Sequence, residues 1–163
     1  MLAVSNTSPI SNLAYIGRLD LLKSQFSVIW IPTSVASEFA AHPDFAALAA
    51  IQAAIRDQWI RTVTPRQSRL LRVLLLDLHR GEAEAIALAS DMGANIVLID
   101  EREGRQRAAE AGLAVTGVLG TLLRGKQTGA IAAIKPEIRL LRDRAHFFIS
   151  PALEAQVLAS AGE

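Results

Sequence analysis

Carboxylate and amide side chains occur where predicted strands lead into helices. Asn6 directly follows the short segment 3–5, and Asp100 ends the apolar, β-branched run 95–99. Glu38 lies within the helix predicted after a second apolar run, and Glu82 lies at the start of the helix that precedes residue 95. Hard divalent cations such as Mg²⁺ or Mn²⁺ prefer oxygen ligands of this kind. Such an ion can lower the pKa of a bound water for attack on a phosphodiester.

The elements that must position these residues alternate between apolar runs and helical patterns. Runs at 28–31, 95–99 and 113–115 are typical of buried core strands, and 59–63 alternates like a half-exposed strand. Strands that alternate with helices predict an α/β fold with helices on both faces of a parallel sheet. We therefore expect a three-layer α/β/α sandwich around a mainly parallel sheet of four to five strands.

A parallel sheet would bring Asn6, Glu38 and Asp100 to one edge, because ligands bind outside the carboxyl ends of such strands. Whether Glu82 reaches the same edge depends on how its helix packs. The sequence therefore predicts an oxygen-rich site formed by three carboxylates and one amide.

Each acid also has a structural alternative. Asp100 can cap the helix that follows it, and Glu38 can be an ordinary surface residue. Glu82 and Glu84 both suit a helix N-terminus, but their spacing points them in different directions, so at most one is expected in a shared site. Glu101 is expected to face solvent or to pair with a nearby arginine. Membership of Glu84 or Glu101 in the site stays open.

Composition limits the class of protein. The chain has 163 residues, of which 51% are hydrophobic and 20% charged, with a net charge of +1 and no cysteine. These values exclude a disordered chain, disulfides and thiolate metal sites. No apolar run approaches membrane-spanning length, and the N-terminus lacks a basic region. We expect a single domain over 1–163, with a cytoplasmic location and no membrane contact.

Arginines and aromatic residues offer candidate contacts to nucleic acid. The segment Gln67–Leu78 is predicted to be helical, and Arg66, Arg69 and Arg72 recur along its polar side. They are candidate phosphate contacts, although a solvated helix face is the commoner explanation. The pair Phe147-Phe148 is expected in the core rather than as a base-stacking platform.

Other catalytic motifs are missing from the sequence. The histidines at 42, 79 and 146 have no metal-ligand spacing, and His42-Pro43 is predicted to end a helix. No glycine-rich phosphate loop or serine nucleophile elbow is present.

Four blocks of the sequence resemble successive blocks of PIN domains in order and spacing. They are residues 4–10, 31–38, 81–89 and 98–101. The further run 104–120 resembles a prokaryotic branch of predicted nucleic-acid-binding PIN proteins. The resemblance covers residues 2 to about 160.

The resemblance implies a PIN-like fold that binds Mg²⁺ or Mn²⁺ through clustered acids and cleaves RNA. Many PIN domains are VapC-type toxins that form homodimers and pair with an antitoxin protein. Matched residue by residue, Glu38, Glu82 and Asp100 take the positions of the second, third and fourth catalytic and metal-binding acids. Asn6 takes the position of the first acid, where active members usually carry Asp. An amide carbonyl can ligate Mg²⁺, but it brings no negative charge.

Three functions are consistent with these observations. The first is a metal-dependent ribonuclease, as the toxin component of a toxin–antitoxin pair or otherwise. The second is a PIN fold with weakened or lost catalysis that binds RNA or a partner protein, for which Asn6 is the best support. The third is an unrelated doubly wound hydrolase that uses Asp100 as a nucleophile.

Overall fold

Five parallel strands form the centre of the molecule. The computed structural model describes residues 1–41 and 45–163, so the break predicted at His42-Pro43 lies outside the described residues. The strands occur in the sheet in the order β3-β2-β1-β4-β5. Their bounds are β1 Ala3–Ser5, β2 Ile29–Pro32, β3 Ile60–Val63, β4 Ile96–Leu98 and β5 Val115–Thr116.

Ten helices connect and flank these strands within the described ranges. They are α1 Thr7–Tyr15, α2 Asp20–Phe26, α3 Thr33–Phe39, α4 Phe45–Arg56, α5 Arg69–Leu74, α6 Arg80–Met92, α7 Arg102–Glu110, α8 Val118–Gln127, α9 Lys135–Ala145 and α10 Pro151–Ala161. None of these helices combines the length and the apolar character needed to cross a bilayer.

Side chains in successive strand positions alternate between two apolar cores. Ala3 and Leu98 belong to the first core, which is formed with α1, α2, α4, α8 and α9. Val4, Val97 and Ile99 belong to the second core, which is formed with α5, α6 and α7. This period of two is what a strand buried on both faces produces. The predicted three-layer α/β/α sandwich is confirmed.

Two predicted elements differ from the observed ones. The helix predicted over Gln67–Leu78 ends at Leu74, because the next residues form tight turns with bonds from the amides of Leu76 and Asp77 to carbonyls three residues back. These turns leave Leu76 exposed and return the chain to the start of α6. The core strand predicted at 113–115 is instead β5, a half-buried edge strand shifted toward Thr116.

The strand order reverses between β1 and β4. Ser5 pairs with Leu98, and the Asn6 amide continues the ladder by donating to the Leu98 carbonyl over 3.1 Å. The next residues of both strands, Asn6 and the segment 99–101, therefore leave the sheet side by side. Open α/β sheets bind ligands in the crevice at such a reversal.

Replacing Leu22 with alanine tests the first core. Leu22 is fully buried, so Leu22→Ala should lower the free energy of unfolding by about 2–5 kcal/mol in urea titrations. Leu76→Ala is the matched control, because Leu76 is 81% exposed and its truncation should change stability by less than about 0.5 kcal/mol. Equal losses in the two variants would contradict the observed packing.

Candidate active site

A cavity of about 430 Å³ opens where the strand order reverses. We call it the acid cavity, and it is lined by Asn6, Thr7, Ser8, Glu38, His79, Arg80, Gly81, Glu82 and Glu101. It brings together three of the four residues predicted to bind a metal. Glu101 lines it as well, whereas Asp100 does not.

Asn6 supplies an unpartnered oxygen at the end of β1. Its side chain is buried, and Nδ2 donates to Glu101 Oε2 over 2.9 Å. Among the described residues, nothing donates to its Oδ1 atom, which is shielded from solvent. A buried carbonyl without a donor costs free energy, and a cation is one partner that would satisfy it.

Glu38 reaches the cavity from the last turn of α3. It is exposed, and its Oε2 accepts a bond of 2.5 Å from Thr7 Oγ1. The first turn of α6 lies directly against it, since a Cβ added at Gly81 would lie 2.8 Å from Glu38 Oε1. The missing side chain at Gly81 therefore leaves room for the carboxylate.

Glu82 is the buried carboxylate of the site. Its Oε2 accepts from the His79 amide over 3.2 Å, as part of the N-terminal cap of α6. A Cβ on Gly104 would lie 2.9 Å from its Oε1, so α7 also approaches closely. Burial, with added repulsion from Glu101, raises the pKa of Glu82. A positive charge in the cavity would offset both effects.

Glu101 lines the acid cavity, although its sequence position left open whether it would. The side chain was expected to face solvent or to pair with an arginine. It is exposed, but its carboxylate accepts from Asn6 Nδ2 and from Ser8 Oγ. The adjacency of β1 and β4, which the sequence does not specify, produces these two contacts.

Asp100 points away from the acid cavity. Its Oδ1 accepts from the Val118 amide over 2.7 Å, and its Oδ2 accepts from Asn12 Nδ2 over 3.1 Å. It therefore caps a helix, as the structural alternative proposed, but this helix is α8 and not the following α7. Burial raises its pKa to about 6. With both oxygens engaged, the carboxylate is poorly placed as a nucleophile.

Glu84 and Arg80 lie beside the acid cavity. Arg80 Nε donates to Glu84 Oε1 over 2.7 Å, and this contact turns Glu84 away from Glu82. The expectation that at most one of the two glutamates enters the site agrees with this arrangement. The Arg80 side chain is 71% exposed and lines the cavity, so it can reach a bound anion.

The three arginines predicted to contact phosphate lie elsewhere. Arg66, Arg69 and Arg72 are exposed, and none of them lines the acid cavity. Within the described part of the chain, none forms an ion pair. Their contact with nucleic acid stays a prediction.

The donor set suits a hydrated hard cation. No three Asp, Glu or His side chains of residues 1–41 and 45–163 converge closely enough to hold one ion. Mg²⁺, however, is commonly held by one or two carboxylates and several retained waters. Asn6 Oδ1 lacks a donor, and the repelling pair Glu82 and Glu101 lines the same cavity. These oxygens fit such an ion.

Comparison with known proteins decides the family. A family model described as a PIN domain matches residues 2–163. The chain belongs to the PIN-domain family. PIN domains are generally nuclease-related and typically use divalent metal ions. No curated protein matches the chain.

One solved structure similar to this PIN domain is a PilT N-terminus domain protein from the hyperthermophilic archaeon Sulfolobus solfataricus P2. It is 21% identical, with a TM-score of 0.49, and the match covers 75% of this chain and 91% of that one. The family assignment rests on the family match alone.

Asp100 should make the free energy of unfolding depend on pH. Its pKa rises from the ordinary 3.8 to about 6, so between these values only the folded state holds the proton. Stability contributed by Asp100 therefore falls as pH rises through this window. Lowering the pH from about 7 to about 4 should stabilise the wild type relative to Asp100→Asn by on the order of 2 kcal/mol.

Urea titrations with a chelator at each pH measure this difference, because the chelator removes any contribution from metal ions. Glu110→Gln is the control, since its side-chain bonds to Gln106 and Arg107 lower the pKa of Glu110. The stability difference for this variant should change in the opposite direction with pH. A pH-independent difference for Asp100→Asn would contradict the burial of that carboxyl group.

Proposed function

We propose that this PIN domain is a divalent-metal-dependent ribonuclease whose active site is the acid cavity. The observation that carries the proposal is the convergence of Asn6, Glu38, Glu82 and Glu101 in one cavity at the reversal of strand order. The cavity holds oxygen donors, as Mg²⁺ and Mn²⁺ require. It is open to solvent on the Glu38 and Glu101 side, so a phosphodiester can enter.

Each residue of the acid cavity has a proposed role that follows from its position and charge. Asn6, Glu82 and Glu101 would hold Mg²⁺ or Mn²⁺, with Glu38 beside them at the rim. When bound, the ion supplies charge stabilisation at the phosphate and lowers the pKa of a water molecule. Glu38, which lies at the rim outside this ligand set, is the carboxylate placed to accept the proton of the attacking water.

Arg80 is the cation we assign to the phosphate of the substrate. Its guanidinium lies on the cavity wall, and the ion pair with Glu84 fixes its position. A guanidinium can donate two parallel bonds to phosphate oxygens, which orients the scissile group. Arg66, Arg69 and Arg72 would then contact more distant phosphates of the same RNA.

The fourth acid of the family can be either of two adjacent residues. The sequence resemblance assigns this position to Asp100, whereas the cavity geometry favours Glu101. Asp100 already caps α8, so its first role here is to hold the segment from which Glu101 projects. We propose Glu101 as the ligand and Asp100 as a positioning residue.

A binding protein without catalysis is the second candidate function. The Asn6 amide donates a hydrogen bond to Glu101, so this carboxylate is stabilised without a cation, whereas an aspartate at position 6 would repel it. The fold therefore does not depend on a bound ion. In this case the same surface would bind RNA or a partner protein without cleavage.

The wider biological setting follows from the family and stays a proposal. It comprises a toxin role with an antitoxin partner, assembly as a homodimer, one domain over residues 1–163, and action in the cytoplasm.

Cleavage of a mixed RNA panel with Mn²⁺ tests the proposed activity. Glu82→Gln and Glu101→Gln should each lower the rate at least about 100-fold, because each removes charge and a metal ligand. Glu110→Gln is the matched control, because Glu110 is exposed at the end of α7, and it should cleave like the wild type. Asp100→Asn should retain more activity than Glu101→Gln if Glu101 is the fourth acid.

Asn6→Asp separates the two candidate functions. A silent wild type with an active Asn6→Asp variant would show a nuclease scaffold disarmed at one position, in favour of the binding role for the natural chain. Silence from both proteins, with both folded by circular dichroism, would overturn the nuclease proposal.

A further inference from the structure

A second cavity lies beside the acid cavity, at the β5 edge of the sheet. Its volume is about 560 Å³, and we call it the edge cavity. Asp100, Arg102, Arg105 and Phe148 line it, together with the β5 strand and apolar side chains of α8 and α10. Neither the acid cavity nor the capping of α8 requires an opening here.

The two phenylalanines at this cavity have different environments. Phe147 is half-buried and packs against the first core, as the sequence predicted. Phe148 is 86% exposed, so the expectation that it belongs to the core was wrong. The chain leaves α9 through His146, which has a positive φ of 50°, and of the two rings that follow only Phe147 turns inward. An exposed aromatic ring at the rim of a cavity is typical of a binding surface.

Two arginines place positive charge on the same wall. Among the described residues, neither Arg102 nor Arg105 forms an ion pair with an acid. Arg105 Nη1 donates to the Ile99 carbonyl over 2.9 Å, which holds its guanidinium at the cavity. The Asp100 carboxylate beside them is engaged by Val118 and Asn12. Arg105 is attracted to this carboxylate, so Arg102 is the guanidinium that is left to meet an anionic ligand.

The edge cavity and the acid cavity lie on either side of the segment 100–102. Asp100 and Arg102 line the edge cavity, while Glu101 between them lines the acid cavity. Consecutive residues in extended backbone point to opposite sides, and Glu101 has φ −70° and ψ 135°. An RNA strand that crosses this segment would occupy both cavities.

We propose that the edge cavity is a base-binding subsite for single-stranded RNA, in which Phe148 stacks on a base and Arg102 contacts the adjoining phosphate. This inference rests on the proposed function, because it takes the same RNA strand as occupant of both cavities. An exposed guanidinium group beside an aromatic ring is a combination that binds single-stranded nucleic acid. An apolar peptide would leave Arg102 unmatched.

This subsite also favours single-stranded RNA over a duplex. A base must leave its stack to contact Phe148, and in a duplex this step costs free energy of unpairing. Single-stranded RNA should therefore bind more tightly than a duplex of the same sequence. The base stacked on Phe148 would lie next to the cleaved bond.

Fluorescence anisotropy with a labelled single-stranded RNA tests the subsite, in a chelator so that no cleavage is needed. Phe148→Ala should weaken binding by about 5- to 100-fold, the usual range for loss of one stacked base, and Phe148→Trp should keep the affinity. Leu76→Ala is the matched control, because Leu76 is an equally exposed apolar residue on another surface. It should bind like the wild type.

A salt titration of the same complex tests the arginine contact. Arg102→Gln should lower the slope of log affinity against log salt by about 0.7, the value for one contact to a single strand. Arg56→Gln on α4 is the matched control, since it removes an exposed arginine at the β3 side of the sheet. Its slope should equal that of the wild type.

Three results would overturn the subsite. In the first, Phe148→Ala binds RNA as tightly as Leu76→Ala, while cleavage still responds to Glu82→Gln, so that the nuclease proposal survives alone. In the second, the wild type binds no single-stranded RNA, and the cleavage panel then decides the nuclease proposal separately. In the third, Phe148→Ala changes the molecular mass by light scattering but not RNA affinity, which would identify a second copy as the occupant.

Discussion

The parallel pairing of β1 with β4 is the constraint on which the site depends. Ser5 opposite Leu98 fixes the register, and the Asn6 amide extends it by one hydrogen bond. From that point the two chains diverge with Asn6 and Glu101 in contact. A shift of one residue would turn Glu101 to the other side and bring Asp100 or Arg102 into the acid cavity instead. The register therefore determines which charge enters the cavity.

Electrostatics in this region follow from the same packing. α6 approaches α3, and α7 approaches α6, so closely that glycine is needed at Gly81 beside Glu38 and at Gly104 beside Glu82. Glu82 is thereby buried, which raises its pKa and opposes its ionisation. Such an arrangement costs stability in the free protein and favours the binding of a positive charge. Asn6 lowers this cost, because its neutral amide donates a hydrogen bond to Glu101.

Sequence patterns were sufficient for the layers of the fold, because buried parallel strands and amphipathic helices have distinct apolar periods. They also singled out Asn6, Glu38 and Glu82, three residues that line the acid cavity. They could not show that Glu101, and not Asp100, lines the acid cavity, since this depends on the long-range contact of Asp100 with the Val118 amide. The exposure of Phe148 was likewise hidden, because adjacent aromatic residues give no sign of which one turns inward.

Binding of Mn²⁺, counted by the electron paramagnetic resonance signal of the free ion, is the direct test of a metal site in the acid cavity. We expect a site in the wild type that Glu82→Gln abolishes, Glu110→Gln leaves intact and Asn6→Asp tightens by adding a carboxylate. Unchanged binding in Glu82→Gln would place the ion elsewhere. Absence of binding in both the wild type and Asn6→Asp would contradict the assignment of the acid cavity as a metal site.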